Sequence, residues 1–278
     1  MRVFFDSERG REVKGVETMV QPARITKAAP PPARRPGAAG RARITGMSDL
    51  SSPQVPAAAA DSLPPVDPAT GLFTLADACP RCGWCRATPL YRHYHDHEWG
   101  FPVADDRRLF EKLCLEGFQA GLSWITILNK REAFRAGFAQ FDAEALSRFG
   151  PAEVTRLLAD AGIVRHRGKI ESAIHNAGRV LELRREFGSL AHYVWRFEPL
   201  AAEGRPGRCT PDAVRALTRS AASVALSKDL KRRGWSFVGP TTMYAFMQAM
   251  GLVNDHFEGC HTREKALAAR ATFTVPTA

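Results

Sequence analysis

Cysteine and histidine recur at two distant places in this chain, in a spacing that few folds can use. Cys79, Cys82 and Cys85 stand three positions apart, His93, His95 and His97 follow on alternate positions, and His256 and Cys260 come near the other end with three residues between them. A structural zinc site takes four tetrahedral N and S donors and needs neither an acid nor an open water position. One early Cys, one early His and the late His/Cys pair would complete such a site. It would tie the two ends of the folded body together, so that metal affinity becomes folding free energy. Spacing leaves the choice among the three cysteines and three histidines open. Six cysteines in 278 residues are too sparse for a disulfide scaffold, and paired Cys in a reducing compartment points to metal.

Most of the sequence between these ends reads as helix. Asp105 and Asp106 can cap a helix carrying Leu109, Phe110, Leu113 and Leu115 at helical spacing, which Gly117 and Gly121 are expected to interrupt. Ser123 is expected to cap a second helix running through Trp124, Ile127, Phe134 and Phe138. A short helix is expected over 142–149, another opened by Pro151 and closed by Gly162, and a long amphipathic one over 166–187 ended by Gly188. Ser189 begins the next, and 199–210, rich in Gly, Pro and Arg, reads as a loop. Strand-like alternation is almost absent, so the expected fold class is all-α.

Residues 1–70 differ in kind, carrying 10 of the 19 prolines. Such a segment buries too little apolar surface to offset its ordering entropy. The expected organisation is therefore a disordered Pro/Ala-rich extension over 1–76, a helical domain over 77–265 and a tail over 266–278. The formal net charge is +10, and with 10 Lys/Arg and 7 Asp/Glu in residues 1–76 the rest of the chain carries +7 of it. A basic body suits a polyanionic partner such as nucleic acid, although the same charge serves solubility. No apolar run is long enough to cross a bilayer and no secretory signal opens the sequence, so no membrane partner is expected and the expected compartment is the cytoplasm.

Two helices, over 223–233 and 239–250, flank a hairpin of Gly234, Trp235, Ser236, Phe237, Val238 and Gly239. This arrangement resembles a helix-hairpin-helix DNA-binding motif. Its glycines let the backbone approach phosphates closely, and Lys231 and Arg232 add positive charge beside them. An ordinary helical hairpin with a solvated basic face has the same local sequence.

Longer motifs narrow these readings. RCGW at 81–84, PLYRHYHDHEWG at 89–100, LEGFQAGLSW at 115–124, AGIVRHRGKI at 161–170 and FVGPTTMYAFMQAMGLVNDH at 237–256 resemble the type I constitutive 3-methyladenine DNA glycosylases, over about residues 80–262. The resemblance implies a helical member of the helix-hairpin-helix glycosylase superfamily that acts, as a monomer, on alkylated double-stranded DNA. It implies one structural Zn2+ per chain, held by Cys82, His95, His256 and Cys260. Cys79 and Cys85 have no counterpart in that pattern. It also implies a base pocket of Tyr94, Trp99, Glu116 and Trp124, with Glu116 as the catalytic group.

These residue types suit the task. A flipped N3-methyladenine is a flat cation that would stack on aromatic faces and hydrogen-bond to a carboxylate. Glu116 also stands out in an otherwise apolar stretch, where a paired or functional acid is expected. The alkylated base is already a good leaving group, so the expectation is a monofunctional enzyme that leaves an abasic site. Asp255, beside His256, is not expected to be the principal acid. A zinc-stapled protein that binds lesions without cutting them is the alternative. A zinc hydrolase fits poorly, because His256 and Cys260 have no adjacent glutamate and a closed site leaves no metal-bound water.

Overall fold

The computed structural model describes residues 63–199 and 208–277. The disorder expected over 1–76 lies outside the described residues up to residue 62, as does most of the loop expected over 199–210. Among the described residues the architecture is helical with one small hairpin. Strands β1 (Leu72–Thr74) and β2 (Pro80–Cys82) pair antiparallel, with Leu72 opposite Cys82, and helices follow: α1 (Pro89–His97), α2 (Asp106–Gln119), α3 (Trp124–Asn129), α4 (Arg131–Gly137), α5 (Ala143–Leu146), α6 (Pro151–Ala159), α7 (Arg167–Phe187), α8 (Leu190–Trp195), α9 (Pro211–Ala216), α10 (Ala221–Arg232), α11 (Pro240–Ala249) and α12 (His261–Thr272). No helix among the described residues is long and apolar enough to cross a membrane.

Local chemistry sets most helix starts. The side chains of Asp105, Asp142, His166, Ser189 and Ser220 each accept a hydrogen bond from a backbone N–H of the first turn that follows. Each such cap is worth about 1 kcal/mol. Proline opens α1, α6, α9 and α11, where its missing N–H costs nothing. The helix expected to run on from Ser123 breaks at Lys130 into α3 and α4, and α6 ends at Asp160 rather than at Gly162.

Helix α2 is the centre of the body: residues 109–118 are buried without exception, with α7, α8 and α11 packed around them. Gly117, expected to interrupt this helix, lies inside it. A Cβ there would come 3.2 Å from the Phe237 Cβ, so the glycine permits the hairpin to approach α2 closely. At the end of α2 the buried Lys169 of α7 donates to the carbonyls of Phe118 (2.9 Å) and Ala120 (2.6 Å), satisfying acceptors the helix leaves open.

Regular structure extends past both expected domain limits. β1 precedes residue 77 because Phe73 is inserted into the body, and α12 continues past residue 265 because Ala266 is buried.

Candidate active site and metal cluster

Helix α1 sends two adjacent residues into separate clusters. His95 and Tyr94 are both buried but belong to different clusters. His95 joins Cys82 at the end of β2 and His256 and Cys260 in the segment between α11 and α12. One ligand-type atom from each of these four buried residues lies within 4.8 Å of every other. Measured edges are 3.2 Å between His95 Nε2 and His256 Nδ1, 3.4 Å and 3.7 Å from Cys260 Sγ to those nitrogens, and 3.9 Å from Cys82 Sγ to His256 Nδ1. A tetrahedron with Zn–N of about 2.05 Å and Zn–S of about 2.3 Å has edges of roughly 3.3 to 3.8 Å. The donor set therefore fits zinc in kind and in size.

The outer nitrogens fix both ring orientations. His95 Nδ1 donates to Asp96 Oδ1 (2.7 Å) and His256 Nε2 donates to the Trp99 carbonyl (2.9 Å), which leaves the opposite nitrogen of each ring facing the cluster as a lone-pair donor. Asp96 is held in turn by Arg81 and His261. Hydrogen bonding from Cys82, with help from His256 and His95, holds the Cys260 thiol well below its ordinary range, while burial and the neighbouring Cys260 sulfur push Cys82 up.

The sulfurs and rings left over go elsewhere. Cys85 Sγ donates to the Cys82 carbonyl (3.1 Å), Cys79 is half-buried outside the cluster, and His93 and His97 pack on each other. His261 meets Asp96, within 4.8 Å of His95, and is not one of the four clustered donors.

On the other side of α1 lies a cavity of about 240 Å³. Tyr94, Trp99, Glu116 and Trp124, the four expected pocket residues, all line it, so α1, α2 and α3 converge there. Trp84, Tyr91, Gln119, Gln248 and Phe257 complete most of the wall. Sequence reasoning missed these, although Trp84 and Tyr91 lie inside the RCGW and PLYRHYHDHEWG motifs. Trp84 joins the two clusters: its ring centroid is 5.1 Å from those of Tyr91, His95 and Trp99. The Trp99 ring in turn stands edge-on to His256 at 4.7 Å. Burial pushes the Tyr91 hydroxyl up to about 12 and the Tyr94 hydroxyl well above its usual range, so both walls keep their protons at neutral pH.

Glu116 is not alone. Lys112, one turn earlier on α2 and 4 % exposed, places Nζ 3.0 Å from Glu116 Oε1, donates to Tyr94 Oη at 2.6 Å and sits 3.2 Å from the centre of the Trp124 ring. Burial pushes its ammonium down to about 8 against the opposing pull of Glu116. The signal in the sequence was the i,i+4 Lys/Glu spacing, which on most helices marks a solvated pair. The Trp124 indole N–H has no partner.

The hairpin residues divide between core and surface. Trp235 and Val238, expected among the DNA-facing residues, bury their side chains in the core, where apolar burial outweighs exposure. Phe237 is 39 % exposed, and Gly234, at φ +84°, makes the turn possible. Asn176 grips the hairpin from α7, accepting from Ser236 N (3.1 Å) and donating to its carbonyl (3.0 Å). Lys231 is exposed at the end of α10, whereas Arg232 pairs with Asp229. Asp255 is buried and accepts from Tyr244 (2.6 Å) and Gln248 (2.9 Å), so it braces the pocket wall from behind.

Comparison with known proteins converges on one family. The family model for methyladenine glycosylase matches residues 84–264. DNA-3-methyladenine glycosylase 1 of Escherichia coli is 49 % identical over 65 % of this chain and 95 % of its own, and the Haemophilus influenzae DNA-3-methyladenine glycosylase is 42 % identical over 65 % and 96 %. Among solved structures, a 3-methyladenine DNA glycosylase I superposes with a TM-score of 0.61 at 49 % identity, covering 65 % of this chain and 98 % of its own. The Staphylococcus aureus enzyme, solved to explain 3-methyladenine recognition, has a TM-score of 0.61 at 34 % identity over 66 % and 96 %.

Proposed function

The chain belongs to the methyladenine glycosylase family, and we propose that it hydrolyses the N-glycosidic bond of 3-methyladenine in alkylated double-stranded DNA, as the first step of base excision repair. The observation that carries this reading is the aromatic cavity whose wall holds the buried carboxylate of Glu116. A base inside a duplex cannot reach such a cavity, so the lesion nucleotide is extruded into it. There it stacks on Tyr94, Trp99 and Trp124, and its exocyclic amine donates to Glu116. Normal adenine is neutral and gains less from the rings and the carboxylate, which supplies discrimination.

Breaking the C1′–N9 bond sends its electron pair to N9 and neutralises the base, while positive charge passes to the sugar. Glu116, hydrogen-bonded to the base's amine edge, holds the lesion in the geometry for cleavage, and water adds to C1′ and loses a proton. The product is an abasic site with both strands intact. A Schiff base plays no part: the three N–H groups of Lys112 are engaged by Glu116, Tyr94 and the Trp124 face, and borohydride should trap no covalent adduct.

Cys82, His95, His256 and Cys260 would hold one zinc, which supplies folding energy through a closed coordination sphere and no open position for water. The hairpin backbone and Lys231 hold DNA phosphates, and the protein acts as a monomer. The test is a pair of measurements on Glu116→Gln: the variant should still bind methylated duplex yet release base poorly. Equal turnover by the variant and the unaltered protein would remove Glu116 from the mechanism.

A further inference from the structure

A buried ammonium beside a pocket for a cation is an unexpected feature. If tight capture of positive charge were the sole aim, Glu116 would face the cavity uncompensated. Instead Lys112 touches three of the four expected pocket residues, through an ion pair to Glu116, a hydrogen bond to Tyr94 and the face of Trp124. Lys112 itself lines the neighbouring small cavity, with the pocket's walls between it and any bound base.

Resting on the glycosylase reading, we propose that Lys112 is a positioning residue that selects against positive charge on the bound base, weakening capture of the charged lesion and favouring its departure as a neutral base. An adenine methylated at N3 and still joined to its sugar at N9 carries a full positive charge. When C1′–N9 breaks, the bond's electron pair stays on N9, the base becomes neutral and the charge moves to the sugar. The base, inside the walls that Lys112 touches, feels the ammonium more than the sugar does. A fixed cation there therefore raises the energy of the bound substrate more than that of the transition state, and only such a difference accelerates the chemical step. With Lys112 neutral or absent, Glu116 and the aromatic faces hold the charged base more tightly and release it more slowly.

The surroundings make Lys112 the group whose charge changes. Glu98 is paired with Arg131 (2.6 Å) and Glu111 with Arg135 (2.9 Å), and Arg108 lies farther along the same small cavity. Tyr94 faces Lys112 from α1 and keeps its proton, and Trp124 faces it from α3 without a titratable group. Burial leaves the Lys112 ammonium at about 8, so its proton is lost within an accessible range.

The experiment measures kcat and KM for base release from methylated duplex DNA, between about pH 6 and 9.5, for the unaltered protein, Lys112→Met and Lys112→Gln. At neutral pH both variants should show kcat and KM lowered together, each by about tenfold. The unaltered protein should converge on their values as pH rises through about 8. Affinity for free, neutral 3-methyladenine, read by calorimetry, should change by less than about twofold. Either of two results overturns the proposal: kcat lowered with KM unchanged or raised, which marks Lys112 as a mere support for Glu116, or a flat pH profile of kcat and KM in the unaltered protein, an arm that needs no substitution to fold. Absence of base release by the unaltered protein overturns the glycosylase reading itself.

Discussion

Two buried polar clusters share helix α1, and they are built on opposite plans. Around His95 the four donors close on one another, with four edges of 3.2 to 3.9 Å and none longer than 4.8 Å. Around Tyr94 the polar atoms border a cavity of about 240 Å³ and balance one acid against one base. A set of donors that satisfies only itself and one ion can stabilise a fold but has nothing left for a substrate. A set that faces a cavity stabilises less and can do chemistry. Trp84 and Trp99 pack between them, so the closed cluster fixes the rings that form the wall of the open one.

The sharpest way to separate the two is to disable one at a time. Glu116→Gln should lower kcat by about 10² and cost about 1 to 3 kcal/mol of stability, since the substitution keeps the side chain's shape but removes the charge that offsets burial of the Lys112 ammonium. Cys82→Ser or His256→Ala should do the reverse: both remove a donor from the buried set, and thermal melts should show several kcal/mol of stability lost, on the order of what metal contributes to small closed sites. Base release per folded molecule should be kept well below the new melting point. Unchanged melting and full metal content by atomic absorption would contradict the ligand assignment.

A third test concerns the cost of charge in the open cluster. The Lys112 ammonium lies at about 8 in the folded protein and at 10.5 in the free side chain, because burial disfavours the charged form. Between these values the unfolded chain binds the proton and the folded one does not, so this group's contribution raises stability as pH increases, by on the order of 3 kcal/mol in total. The stability of the unaltered protein relative to Lys112→Met should therefore improve between about pH 8 and 10.5 in denaturant titrations; a constant difference would show that the lysine titrates alike in both states. Smallest is Asn176→Ala, which frees the hairpin from α7. It should cost about 1 to 2 kcal/mol of stability and weaken DNA binding while leaving the pocket's affinity for free base unchanged, as read by calorimetry.

How much of this was legible in the sequence differs between the clusters. Cys/His spacing marked the ends of the closed site because ligands are few and chemically distinctive, but choosing Cys82 among three cysteines needed the family resemblance. In the structure Cys82 pairs with Leu72 across a hairpin only three residues long on each side, too short for strand alternation to register. Helix starts were readable at several caps, as at Asp105, Asp142 and Ser189, but not at Ser220, where α10 begins at Ala221 rather than at 223. Gly117 was misread because its reason is tertiary: the space beside it belongs to Phe237, 120 positions later. Trp235 and Val238 were assigned to a surface by their neighbours in sequence, when the turn of the hairpin sends them inward. Lys112 escaped notice for the same reason, since a lysine on an amphipathic helix ordinarily faces water, and α2 is buried all round.

The central claim is that the open cluster excises a methylated base and the closed one does not take part. Its most direct test is mass spectrometry of the small molecules and the DNA after zinc-loaded protein has been incubated with a duplex bearing 3-methyladenine. The account predicts free 3-methyladenine and an equal amount of abasic site in an uncut strand. Specific binding of the same duplex by folded, zinc-loaded protein with no free base after long incubation would contradict it, and would make the chain a lesion-binding protein instead.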